Sequence, residues 1–247
     1  MLNITQIEVT TVCNYSCWYC TGRQMEQGHM TWETFTDIVD KSPKDLTVML
    51  QGEGEPTLWV YWWKGLEYLK NNGFKTKTIL NGSSIDVQRL ATLVDSLGIS
   101  LDTIDPVEGE KLGRFNVPKV VRNILELKEV FKERLTIHIT DYGQDLKDLK
   151  MWLAHNHLNW IVQPLQTKES YVTIYPKGFI TKQDRVIQKS FRCIYTSAIN
   201  RGKFYNLRGI GVPCCYVKEV KPGVTQEILQ SFDQGQVPKV CSGCKFI

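Results

Sequence analysis

CNYSCWYC, residues 13–20, sets Cys13, Cys17 and Cys20 within eight positions. A disulfide uses two thiols, and a structural zinc site usually uses four ligands. Three thiolates at C-x3-C-x2-C, directly after a strand-like run, can instead hold three irons of a 4Fe–4S cluster and leave the fourth iron open. A zinc site completed by His29 and three buried, unliganded thiols are the alternatives. Five more cysteines follow only after residue 190: Cys193, Cys214, Cys215, Cys241 and Cys244. CSGC, residues 241–244, is a metal-type pair. Four thiolates suit zinc or an iron–sulfur cluster alike, and a fifth is then left over. The gap between the groups predicts two separate sites.

The elements that must position these residues are legible as alternation. Strand-like runs lie at 4–12, 46–51, 74–80, 98–104, 134–140 and 159–165. Helical patterns lie near 31–40, 57–71, 84–96, 117–132 and 145–156. In the fourth of these, Val121, Ile124, Leu125 and Leu127 carry the helical spacing, and Pro118 suits a first turn. Strands alternating with helices predict an α/β fold with a parallel sheet and right-handed crossovers, a partial (β/α)6 TIM-like barrel. Strand parity puts Thr136, His138 and Thr140 on one face, as it does Ser100 with Asp102, and Gln6 with Glu8 and Thr10. Those polar faces predict a barrel lined for a polar ligand. After residue 168 the alternation stops. A hairpin over 202–213 and a helix over 223–233 predict a small cysteine-rich domain. The expected division is 1–168 and 169–247.

Composition excludes little beyond this. The chain has 247 residues, 42% hydrophobic and 23% charged, with a net charge of +4. That is ordinary globular composition. No basic block marks a nucleic-acid surface, and no apolar run reaches the ~18 residues of a membrane span. The N-terminus lacks a signal-peptide pattern. A cytoplasmic, reducing setting is expected, where clustered cysteines point to metal or redox chemistry.

The spacing of Cys13, Cys17 and Cys20, with Tyr19 before the last, resembles the radical SAM superfamily. QGEGEPTL (51–58) resembles its GGE motif, with Gly54 and Glu55 matching and Glu53 where a glycine usually stands. ILNGS (79–83), through Asn81, resembles its "TNG". The resemblance implies that S-adenosylmethionine binds the open iron and yields a 5′-deoxyadenosyl radical, which takes a hydrogen atom from substrate. It implies that Ser100 and Asp102 hold the ribose and that Gln163, in IVQPL, lies against adenine. The late cysteines resemble the Twitch domain, a short form of SPASM. That implies a second 4Fe–4S cluster on Cys193, Cys214, Cys241 and Cys244, with Cys215 outside it.

A compact barrel with one auxiliary cluster resembles, within that superfamily, the aminocyclitol dehydrogenases. The expected reaction is therefore a two-electron oxidation of a small polar molecule, with a flavodoxin or ferredoxin as low-potential donor. With Cys13 so early, no peptide-recognition domain is expected before it, which favours a small molecule or a peptide presented by another protein. Such chemistry needs a base, and His138 and Asp141 are the candidates. Radical modification of a peptide, by crosslinking or epimerisation, is the second reading. A non-catalytic iron–sulfur or zinc-stabilised binding protein is the alternative from another class.

Overall fold

A computed structural model describes residues 3–168, 171, 174–176, 193, 195, 203–217 and 223–244. Parts of the expected small domain, 177–192 and 196–202 among them, lie outside the described residues. Eight strands form one sheet in the order β6-β5-β4-β3-β2-β1-β7-β8. They are β1 (Ile4–Ile7), β2 (Thr47–Leu50), β3 (Thr76–Leu80), β4 (Ser96–Ser100), β5 (Leu135–Asp141), β6 (Asn159–Pro164), β7 (Lys203–Tyr205) and β8 (Gly211–Val212). The first seven run parallel, and β8 turns back antiparallel to β7. Helices α1 (Trp32–Asp40), α2 (Trp62–Asn71), α3 (Val87–Leu93), α4 (Pro106–Leu112), α5 (Val117–Phe131) and α6 (Lys147–His155) make the crossovers, and α7 (Val224–Asp233) follows β8. This is the expected α/β partial barrel. Among the described residues β6 and β8 end the sheet rather than pairing with each other.

The outer layer forms because each strand turns alternate side chains toward the helices. In β5, Leu135, Ile137 and Ile139 are buried, while Thr136, His138 and Thr140 on the other face are half-buried. The main core joins these residues to Leu97, Ile99, Leu50 and Leu80 and to the inner faces of the helices. Helix α5 contributes Val117, Val120, Ile124, Leu127 and Phe131. The stripe is therefore shifted from the sequence reading, since Val121 and Leu125 are only half-buried.

Several boundaries move for local reasons. The run at 4–12 leaves the sheet after Ile7, because Thr10 and Thr11 turn to bond the 26–29 loop. The helix expected from 57 starts at Trp62, because Glu55 caps a short turn over Pro56–Leu58. The helix expected over 84–96 starts after its Asp86 cap and stops at Leu93, and β4 begins at Ser96 rather than 98. Helix α4 was not expected at all.

The hairpin is also more than an appendage. β7 pairs with β1, Thr5 with Lys203 and Gln6 with Phe204, so the sheet runs on across residue 168. Phe204, Val212, Cys214, Val217, Val224, Ile228 and Cys241 form a second core, on which Ile4 of β1 also packs, while Tyr205 and Leu207 of the hairpin pack on the main one.

Ile124 has no exposed surface and touches the main core. Ile124→Ala should therefore cost about 2–5 kcal/mol by urea unfolding, whereas Arg122→Ala on the outer face of α5 should change stability by about 0.5 kcal/mol or less.

Candidate functional site

The loops after β1, β2, β3 and β4 converge on residues 13–20. Glu55 N donates to Val12 O at 2.8 Å. Gly54 lies so close to the chain entering the cysteine loop that a Cβ there would sit 2.5 Å from Thr10 O. Only glycine permits that approach. From the β3 end, Asn81 Nδ2 donates to Asn14 Oδ1 at 2.7 Å, and Asn81 N donates to Glu55 Oε2 at 2.7 Å. The far side of the loop rests on the end of α4: Ser16 N donates to Gly113 O and Trp18 N to Leu112 O. Gly113 holds a left-handed φ of 90°, the usual helix-ending conformation. Tyr15 Oη closes this contact on Phe115 O.

Asp102, with no exposed side-chain surface, ties three elements together. Its Oδ1 accepts from Thr140 N of β5 at 2.7 Å, and its Oδ2 accepts from Tyr19 Oη at 2.7 Å. Arg114 Nε lies 2.9 Å from the same Oδ2, an ion pair by distance but out of line for a hydrogen bond. Arg114 also donates to Ser100 O and to Tyr19 Oη. Asp102 is thus held by three protein partners at the end of β4. Sequence reasoning missed Arg114. An arginine after a short helix carries no pattern, and only the fold brings it to Asp102.

The three thiols share this loop, Cys17 buried and Cys13 and Cys20 half-buried. Burial pushes all three above the usual thiol range, so metal uptake must release protons. Cys13 feels the Cys17 and Glu55 charges, and Cys20 feels Cys17. A set of three neighbouring thiols with a carboxylate beside it fits a cluster with one open iron. Buried Glu55 is raised to about 7 by loss of water, against the pull of Asn81 N and Thr57. Glu53 adds a second carboxylate: Cys20 Sγ donates to its Oε2 at 3.3 Å, and Tyr171 Oη to its Oε1 at 3.2 Å. His29, the alternative zinc ligand, has Nδ1 2.9 Å from Thr10 Oγ1.

Cys193, Cys214, Cys241 and Cys244 are all buried and lie within electrostatic reach of one another. Burial raises Cys214 to about 11 and Cys241 to about 12. Cys215 is half-buried and couples instead to Tyr171, Tyr195 and Tyr216. No three His, Cys, Asp or Glu side chains among the described residues close around a single metal ion. Four buried thiols in one neighbourhood would nonetheless suit a four-thiolate centre.

A cavity of about 410 Å³ lies beside the cysteine loop, lined by Glu53, which accepts from Cys20, and by Cys215, but by none of the other seven cysteines. Gln6, Glu8, Gln51 and Glu53 line it on the barrel side, and Cys215 and Tyr216 on the other. Glu8 Oε1 accepts from Glu53 N at 2.9 Å, which positions both carboxylates. Neither His138 nor Asp141 lines this cavity. His138 lies at mid-strand against Gly98, and burial and the Lys77 charge lower it to about 4. Asp141 accepts from Gly143 N in the turn after β5. Ser100 is half-buried beside Arg114, and Gln163 is exposed on edge strand β6.

The family model described as the Radical SAM superfamily matches residues 7–154. An S-adenosylmethionine-dependent nucleotide dehydratase of Thermoplasmatales archaeon (strain ISO4-H5) is 31% identical over 113 residues, 44% of this chain and 41% of that protein. The match thus spans about two-fifths of that relative's length. Among solved structures, Streptococcus suis SuiB bound to precursor peptide SuiA superposes with a TM-score of 0.70 at 16% identity, over 94% of this chain and 64% of SuiB. BtrN in complex with AdoMet and 2-DOIA superposes with a TM-score of 0.53 at 14% identity, over 94% of this chain and 82% of BtrN. No described helix is long and apolar enough to cross a membrane.

Glu55 supplies a test by pH. Its folded value, about 7, lies above the ordinary 4.5. Its contribution to stability is therefore full below pH 4.5 and is lost as pH rises through 7. Glu55→Gln keeps a neutral acceptor at every pH. Between pH 5 and pH 8 the wild type should lose roughly 2–3 kcal/mol relative to this variant. Urea midpoints of metal-free protein at the two pH values measure the difference, and parallel profiles would contradict it.

Proposed function

Because the chain belongs to the radical SAM superfamily, we propose that Cys13, Cys17 and Cys20 hold its 4Fe–4S cluster and leave one iron for S-adenosylmethionine. When bound, the cofactor supplies a 5′-deoxyadenosyl radical that removes a hydrogen atom from substrate. Glu55 receives the methionine ammonium, for which a buried carboxylate beside the cysteine loop is suited. Tyr19 and Asn81 hold the shape of that pocket, with Gly54 admitting the backbone. Ser100 and Gln163 face the ribose and adenine. Cys193, Cys214, Cys241 and Cys244 hold a second 4Fe–4S cluster in a Twitch-like unit after residue 168.

The substrate reading is a two-electron oxidation of a small polar molecule. The polar cavity beside the first cysteine loop carries this reading. Its carboxylates and carboxamides suit hydroxyl and amino groups; Glu53 links it to Cys20, and Cys215 lies next to the proposed ligand Cys214. Glu8 and Glu53 replace His138 and Asp141 as candidate bases, because they line the space where substrate would lie. A flavodoxin or ferredoxin supplies the first electron. Modification of a peptide is the second reading. It is favoured by Glu26 and Arg208, an exposed ion pair in the cavity lining. SuiB, of similar fold, binds a precursor peptide.

Anaerobically reconstituted protein should carry about eight irons and eight sulfides, and replacing Cys13, Cys17 and Cys20 with Ala should remove about half. Reduced wild type mixed with S-adenosylmethionine should yield 5′-deoxyadenosine, and the triple variant none. A wild type that carries iron but forms no 5′-deoxyadenosine would favour a non-catalytic binding protein.

Cys214 sits in the small core beside Cys193 and Cys244, whereas Cys215 lines the cavity. Cys214→Ala should therefore drop iron by about half. Cys215→Ser should keep nearly all of it and cost ~1 kcal/mol of stability. Iron and sulfide per chain, measured side by side with the thiolate-to-iron absorbance, separate the two; the reverse pattern would move the ligand to Cys215.

A further inference from the structure

The cysteine loop meets solvent on two sides. On one, Gln24, Met25 and Glu26 line the cavity proposed for substrate. On the other, Asn14 and Ser16 are exposed, and they are the only exposed residues of the stretch 13–20. The turn after α4 borders this second side, because Ser16 N donates to Gly113 O at 2.9 Å. Two residues further on stands Phe115, which is 50% exposed. Among the described residues Phe115 and Trp160 are the only exposed Phe, Tyr or Trp side chains. Trp160 belongs to edge strand β6. Asn14, Ser16 and Phe115 take no part in the cavity lining.

A short run of contacts leads inward from Phe115. Its ring meets that of Tyr15 edge to face, with centroids 6.4 Å apart. Its carbonyl accepts from Tyr15 Oη at 2.8 Å. Tyr15 is buried, and its backbone N donates to Cys13 Sγ at 3.4 Å. One buried residue thus separates an exposed ring from a thiol of the first group. The seat is firm: a Cβ on Gly113 would sit 2.4 Å from Ser16 O, so turn and loop pack backbone to backbone.

A cluster that cleaves S-adenosylmethionine reductively must first receive one electron, and electron transfer through protein weakens steeply with distance. A donor protein therefore needs a surface near the ligands and clear of the substrate. Electron carriers meet their partners through small interfaces, and aromatic side chains are enriched where proteins touch. Lys119, exposed in the first turn of α5, adds a positive charge of the kind that steers an acidic carrier.

We propose that the face made by Asn14, Ser16 and Phe115 is the docking surface for the low-potential electron carrier, a small acidic protein of the flavodoxin or ferredoxin kind, with Phe115 as its apolar contact. The proposal rests on the reading of Cys13, Cys17 and Cys20 as ligands of a 4Fe–4S cluster. One electron leaves the reduced carrier and enters the oxidised cluster, and no bond forms or breaks in that step.

Two routes of reduction separate docking from chemistry. Formation of 5′-deoxyadenosine by the full reconstituted chain is measured with dithionite, which needs no docking, and with varied concentrations of reduced flavodoxin or ferredoxin. Phe115→Asp keeps the carbonyl that holds Tyr15. Its dithionite-driven rate should stay within about twofold of wild type, while its KM for the carrier rises about tenfold. Phe115→Leu should stay near wild type with both reductants. Val60→Asp, at another exposed apolar residue, should change neither rate. An unmoved carrier KM in Phe115→Asp overturns the proposal, as does an equal rise in Val60→Asp. So does a wild type that dithionite drives and neither carrier does. If Phe115→Asp loses iron, Phe115→Ser is read in its place, and iron loss in both makes the ring a packing element and overturns the proposal. A wild-type dimer that becomes monomeric in Phe115→Asp by sedimentation gives the face to a second copy and also overturns it. A wild type that forms no 5′-deoxyadenosine with dithionite fails before any change at Phe115. That outcome rejects the cluster reading and the proposal with it.

Discussion

The buried carboxylate of Asp102 is the joint on which the site depends. A charged group with no exposure is tolerable only when both oxygens are satisfied, and here a strand amide, a phenol and a guanidinium share the task. Each partner belongs to a different element. Thr140 fixes the end of β5, Tyr19 fixes the cysteine loop, and Arg114 fixes the segment after α4. Removing any one would leave a buried charge underpaired, so the loop's shape is coupled to the spacing of the strands. The cysteines can lie in a loop and still be held because this network treats the loop as part of the core.

The barrel interior follows the same logic at lower charge density. Gln6, Glu8, Thr136, His138 and Ser100 face inward, where an ordinary barrel of this kind is packed with branched aliphatics. The cost of the polar lining is offset locally. Glu8 is bonded to the Glu53 amide and Gln6 to the Gln51 carbonyl. His138 stays neutral, its Nε2 buried without a hydrogen-bond partner. At Gln6 and Glu8 the interior thus gives up packing energy for a polar cavity, which Glu53 and Cys215 also line.

Much of this could be read from sequence because alternation is a direct consequence of geometry. A strand that buries one face must alternate, so the inward set on β5 was legible residue by residue. The cysteine spacing and the glycine of GEGE were equally plain, since each answers a local need. What was not legible was whatever depends on distance in three dimensions. Helix α4 is a short helix of PVEGEKL with no apolar stripe, and Arg114 beyond it gains meaning only from Asp102. Glu53 read as a departure from a glycine pattern, yet the fold makes it a carboxylate between Cys20 and Tyr171. For His138 parity gives the face, while the burial that lowers its basicity comes only with the fold.

The pairing of β7 with β1 has a consequence in time. Thr5 and Lys203 are partners about two hundred residues apart. Until the later strand arrives, β1 presents one open row of backbone donors and acceptors, the kind of edge that recruits other chains. Closing so long a loop costs only slowly growing entropy, but it is a late and slow contact to form. During synthesis the first cysteine loop can therefore gather its neighbours from β2, β3 and β4 while this edge is still bare. β7 then covers the edge and brings the hairpin before Cys214 into place, so maturation is ordered by the chain's own direction.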